Sequence, residues 1–219
     1  MPKPWRGWYH AMATTYGTWL RGDPRGWRSW QHHEHVDGDY KSPPPMDKYR
    51  LEFEQSKRTM KHTPIVLSPS ARVLVCEAIV ERLLELDSEL IAVAIASTHA
   101  HAVVRFVNWA GGKRKFNVES PGLNDGNSLQ DGRDPVPRHV MGIAMKHASH
   151  EARNKKAKRP GPLWARRAKF VPIENREHQV AAVHYLKRHH KSEGAALWTM
   201  WKQRVIHPDE DYDAVDDQQ

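Results

Sequence analysis

From Ser68 to Leu90 the chain reads SPSARVLVCEAIVERLLELDSEL, and its apolar residues Val75, Ile79, Leu83 and Leu86 recur at helical spacing. Ser68 is placed to cap the first turn with its side-chain oxygen. Pro69 stands at the first helical position, where its missing N–H breaks no bond. The apolar run LIAVAIAS (90–97) follows directly and predicts a buried strand, and HAHAVVRF (99–106) continues as another after a break at Ser97 and Thr98. So few residues separate the two that their pairing is expected to be antiparallel.

The same pattern reading extends to both ends of the chain. Upstream, WYHAMATT (8–15) is rich in aromatic and β-branched residues and precedes glycines at 17, 22 and 26, which predicts a first strand and a break. Residues 17–64 show no sustained periodicity and are expected to form a long surface loop. Residues 108–137, dense in Gly, Asn, Asp and Pro, predict a second loop. A helix is expected over about 138–153, with Val140, Ile143, Met145 and Ala148 on its apolar side. GPLWARRAKFVPI then suits a strand ending near Pro172, a last helix runs from about Glu174 to His190, and EGAALW marks a glycine-led exit. The order strand, helix, two strands, helix, strand, helix predicts an α+β fold. Its form is a ferredoxin-like antiparallel sheet with helices on one face and one added C-terminal helix. No internal repeat or heptad array is visible.

Composition narrows this further. A chain of 219 residues suits one core, here assigned to 1–207. After His207 the chain carries six acids and little to bury, so 208–219 is expected to be a disordered acidic tail. The single cysteine, Cys76, excludes a disulfide framework and a cysteine-rich zinc site, and fits a reducing compartment. The start MPKPWRGWYH lacks the apolar core of a signal peptide, and nowhere do about 18 apolar residues run together. The expectation is a soluble cytoplasmic protein with no membrane partner. The net charge of +8 is concentrated: from Lys146 to Lys169 nine Lys and Arg oppose one acid, Glu151. Such density is the footprint of a phosphate backbone, and Trp164 and Phe170 within or beside it can stack on bases. A solvated, solubilising face is the alternative. The predicted contacts are Lys155, Lys156, Lys158, Arg159, Arg166, Arg167 and Lys169.

Candidate chemistry lies in two places. Residues two apart on a strand point to the same side, with Cα atoms about 6.6 Å apart. His99 and His101 therefore project together, either as two ligands for one cation or as polar residues on an open strand face. On the last helix His178, Tyr185 and His189 fall within an arc of roughly 40°, and Tyr185 and His189, four apart, are neighbours. If that edge faces the histidine strand, His189 completes a three-ligand site with the Tyr185 phenol beside it. The loop cluster His32, His33 and His35 reads as solvated, with metal binding as the lesser alternative.

These residues carry a resemblance. THAHAVV looks like the histidine–hydrophobic–histidine motif of the HUH single-tyrosine transposases, in particular the REP-associated tyrosine transposases. GPLWARRAKFVPIENREHQVAAVHYLKRH resembles their closing strand and nucleophile helix, in which a tyrosine precedes a polar metal ligand by four residues. WYHAMATTYGTWL is similar to their first strand, and the likeness spans most of residues 8–199 in order. It implies a ferredoxin-like βαββαβ core, single-stranded DNA next to a hairpin as substrate, Mg²⁺ or Mn²⁺ as cofactor, and a monomer or homodimer. His99, His101 and His189 would hold the metal, and Tyr185 would attack the scissile phosphate to give a 5′-phosphotyrosine while a 3′-hydroxyl leaves. The phenol would need assistance, from the metal or from His178, because its ordinary pKa is about 10. The chain departs from the family at Ala100, smaller than the usual bulky residue, and at His189, where Asn or Gln is common. Histidine there shifts preference toward Mn²⁺ and other transition metals. His184 and His190 are expected to face solvent or contact phosphate. A nucleic-acid-binding protein without chemistry on the same scaffold is the alternative function.

Overall fold

The computed structural model describes residues 5, 7–25, 47–106, 135–156, 161–165 and 168–213. Its elements in chain order are β1 (Trp8–Thr14), α1 (Arg50–Arg58), α2 (Pro69–Glu85), β2 (Ser88–Ile95), β3 (His99–Phe106), α3 (Pro135–Lys156), β4 (Lys169–Pro172), α4 (Arg176–Glu193), β5 (Ala196–Thr199) and β6 (Val205–Ile206). They build one six-stranded sheet in the order β4-β1-β3-β2-β5-β6, with every pairing antiparallel. The first four strands with α2 and α3 make a βαββαβ core compatible with a ferredoxin-like fold.

Local chemistry starts and stops the helices. The Ser68 hydroxyl accepts from the Ala71 amide at 3.3 Å and Pro69 opens α2, as the sequence predicts. Asn175 caps α4 by accepting from the His178 amide at 2.8 Å. Gly194, at φ 58° in the left-handed region, ends α4 and turns the chain back toward the sheet. That turn matters because ALWT then pairs with β2 and is buried throughout. The expected exit is therefore two further strands, β5 and β6. Residues 50–58, expected as loop, form α1, a helix with no buried residue and an Lys57–Glu54 pair at 3.0 Å. Its lack of an apolar stripe is why periodicity passes over it.

Alternation along β3 decides what faces what. Ala100, Ala102, Val104 and Phe106 join Val75, Ile79 and Leu83 of α2 and Met141, Ala144 and Ala148 of α3 in the larger core. Val103, on the opposite side, packs in a second core with Ala182, Val183 and Leu186 of α4. Helices thus cover both faces: α2 and α3 one, the added C-terminal helix α4 the other. His99 and His101 share the Val103 side of the strand, so the sheet aims them at α4.

Candidate metal centre

Three elements meet at the α4 face of the sheet. β3 brings His99 and His101, whose rings are 5.0 Å apart between centroids. α4 brings His189, stacked on His101 at 4.8 Å with an interplanar angle of 15°, and also 4.8 Å from His99. One possible ligand atom from each of the three histidines lies within 4.8 Å of the others. Tyr185 is one turn earlier on α4, its ring 4.4 Å from His189 and 5.2 Å from His101. β1 brings His10, whose Nε2 is 3.0 Å from His101 Nδ1 and whose ring is 5.8 Å from Tyr185. The four residues predicted from spacing are therefore gathered, and His10 joins them.

The protonation pattern of the rings follows from their partners. His99 Nδ1 is 3.2 Å from Thr98 Oγ1, His101 Nδ1 meets His10, and His189 Nδ1 is 2.7 Å from Glu193 Oε1. Each Nδ1 thus has a neighbour, and His189 Nδ1 also lies 3.4 Å from His99 Nε2, so the strand and helix rings approach each other through these two nitrogens. A partner on one ring nitrogen fixes the tautomer and leaves the other for a metal. His189 Nε2 is buried with no hydrogen-bond partner. A buried polar atom without a partner is costly, and a cation is one partner that would satisfy it. The donor set of three imidazoles fits a borderline divalent ion.

Burial holds His10, His99 and His101 toward the neutral form. Desolvation above all, then the neighbouring His10, His99 and His189, pushes His101 down to about 2. His10 falls to about 4, first through burial and then through His178, His189 and Lys169. His99 is lowered as well, by burial and His189, with Glu193 acting in the opposite direction. Neutral imidazoles are the form that binds metal. The same shifts predict acid sensitivity. The unfolded chain protonates these histidines near 6.5 and the folded chain resists, so their stabilising contribution is present above 6.5. It is lost as pH falls from 6.5 through about 4. Urea unfolding without added metal should show a midpoint that drops over that interval. A flat midpoint from pH 7 to 4.5 would contradict the burial argument.

The remaining predicted residues are less uniform. His178 is half-buried on α4, close enough to His10 to disfavour its charge. His184 is exposed, as expected. His190 is not: it is buried, with Nδ1 2.6 Å from the Ala195 carbonyl oxygen and Nε2 2.8 Å from that of Glu210. It ties the end of α4 to the β5 entry and to the segment after β6, so it is a structural residue and not a phosphate contact. Lys169 is exposed at the start of the edge strand β4. Lys155 and Lys156 end α3, but their side chains, like Lys158, Arg159, Arg166, Arg167 and the cluster His32, His33 and His35, lie outside the described residues. At the start of the acidic tail Glu210 pairs with Arg204 at 3.0 Å, and the Tyr212 ring lies 4.0 Å from Lys187 Nζ. Residues 214–219 lie outside the description, and no described helix is long and apolar enough to cross a membrane.

Two residues of the site escaped the sequence reading. His10 carries only a weak signal, a polar residue between aromatic and apolar neighbours on a strand. Glu193 carries a better one, since it follows His189 by four residues. No family model matches the chain, and no curated protein or solved structure shows significant similarity to it.

Proposed function

We propose that this chain is a metal-dependent DNA strand transferase that cleaves and rejoins single-stranded DNA beside a hairpin, as in transposition, through a tyrosine nucleophile. The observation that carries the reading is the placement of the Tyr185 ring 4.4 Å from His189 and 5.2 Å from His101, at the edge of a three-histidine cluster. A phenol beside imidazole donors from two separate elements suits a phosphotyrosine mechanism, in which the nucleophile is activated by a neighbouring base or metal.

In this mechanism His99, His101 and His189 would hold the divalent ion, with Mn²⁺ suiting three imidazoles better than Mg²⁺, and the ion would supply charge neutralisation at the scissile phosphate. The Tyr185 oxygen attacks phosphorus and the bond from phosphorus to the 3′ oxygen breaks. The phenolic proton is lost to a base, for which His178 on the same helix is the candidate, and the departing 3′ oxygen is protonated to a hydroxyl. The 5′ side is left as a phosphotyrosine. Attack by another 3′-hydroxyl on that ester reverses the steps and rejoins DNA with no external energy source. The basic run 146–169 supplies the attraction for the backbone.

The test is incubation with labelled single-stranded DNA carrying a hairpin, with Mn²⁺ or Mg²⁺, followed by denaturing electrophoresis. A protein–DNA adduct that needs the metal is the expected result. DNA binding without an adduct across a panel of sequences would leave a binding protein without chemistry.

A further inference from the structure

Glu193 is the last residue of α4, an awkward place for a carboxylate because the helix dipole puts partial negative charge there. Its surroundings explain it. Oε1 accepts from His189 Nδ1 at 2.7 Å and Oε2 lies 3.5 Å from His99 Nε2, so one carboxylate spans the helix and strand halves of the cluster. The backbone beneath it is fixed as well: Arg72 of α2 donates through Nη1 to the carbonyl oxygens of Glu193 at 3.2 Å and Gly194 at 2.6 Å. Gly194 then ends the helix in its left-handed conformation, which determines where the Glu193 side chain starts.

The short contact to His189 has a chemical consequence. An ionised carboxylate can only accept, so the shared proton belongs to His189 Nδ1. The lone pair then lies on Nε2, the one atom of this ring that is buried without a partner. His189 Nδ1 also lies 3.4 Å from His99 Nε2, so the carboxylate sits beside the two rings where they approach each other, and the buried Nε2 is left as the donor atom of His189.

We propose that Glu193 is the positioning residue of the centre: it fixes His189 in the Nδ1–H tautomer, which keeps the Nε2 lone pair for a cation, and it places a negative charge beside His189 Nδ1 and His99 Nε2. This rests on the reading of His99, His101 and His189 as a metal site. It does not depend on the DNA chemistry.

Mn²⁺ titration of the full chain by calorimetry, without DNA, separates the possibilities. Glu193→Ala should weaken Mn²⁺ binding about 10- to 100-fold, the usual cost of losing an outer partner. Glu193→Gln, whose amide oxygen still accepts from Nδ1–H, should lose less than Glu193→Ala. Nitrogen-15 imidazole spectra of the metal-free protein give a second readout: His189 should carry its proton on Nδ1 in the wild type and the Gln variant. In the Ala variant it should shift toward Nε2–H. Unchanged affinity in Glu193→Ala, or an Nε2–H tautomer in the wild type, overturns the positioning role while leaving the metal site standing. Failure of the wild type itself to bind Mn²⁺ removes the metal site, and the role of Glu193 with it.

Discussion

Tyr185→Phe should abolish the covalent protein–DNA adduct, by at least about 10³-fold, in line with what removal of a nucleophile costs in other enzymes. Affinity for DNA and for Mn²⁺ should remain. The two expectations separate because the ring and the hydroxyl do different things. The ring packs against His10, His101 and His189 and lies beneath the Arg188 guanidinium at 5.1 Å. Phenylalanine keeps those contacts and loses only the oxygen that would attack phosphorus. Denaturing electrophoresis reads the adduct, a gel shift in chelator reads binding, and Mn²⁺ titration reads the centre. An adduct formed equally by the variant would mean that another residue is the nucleophile, even if the histidine cluster does hold a cation.

What the sequence revealed of this site divides along local and non-local lines. His99 and His101 were legible because period two on a strand is a local property, and the small residues between and after them pack as expected in the larger core. Tyr185 and His189 were legible for the same reason on a helix. Their meeting across the sheet was an inference from element order, and the two cores on opposite faces of β3 are what bring it about. His10 was not legible. It lies 91 positions from its partner His101, and their contact depends on a register in which His10 opposes Val103 and Met12 opposes His101. That register comes from long-range pairing between β1 and β3.

The absence of Glu193 from the sequence reading and the solvent-facing expectation for His190 have a related cause. A last helix that ends at His190 leaves Glu193 outside it, and the Gly194 turn that closes the longer helix is meaningful only once β5 has a strand to pair with. His190 looked solvent-facing by its phase on the helix. The chain beyond α4 folds back over it and supplies the carbonyls of Ala195 and Glu210. A helical wheel cannot contain neighbours that arrive from elsewhere.

His101→Ala should remove most cation binding, with a loss larger than the 10- to 100-fold expected for an outer partner. Of the three candidate ligands His101 is the most enclosed, 6 % exposed, and it touches the other two ligands, His10 and Tyr185: His10 by a hydrogen bond, His189 by stacking, His99 and Tyr185 by ring contacts. Truncation takes away one donor and the surface that holds His189 in place. The effect can be read without DNA. An ion at 100 times its dissociation constant stabilises a folded protein by about 2.7 kcal/mol. For a domain of this size each kcal/mol raises the melting temperature by roughly 2–4 °C. Saturating Mn²⁺ should therefore raise the wild-type melting temperature by roughly 5–10 °C. The same addition should leave His101→Ala nearly unmoved relative to its own metal-free melt. An equal rise in the variant would place the ion elsewhere, and Tyr185 would then have no cation beside it to support an attack on phosphate.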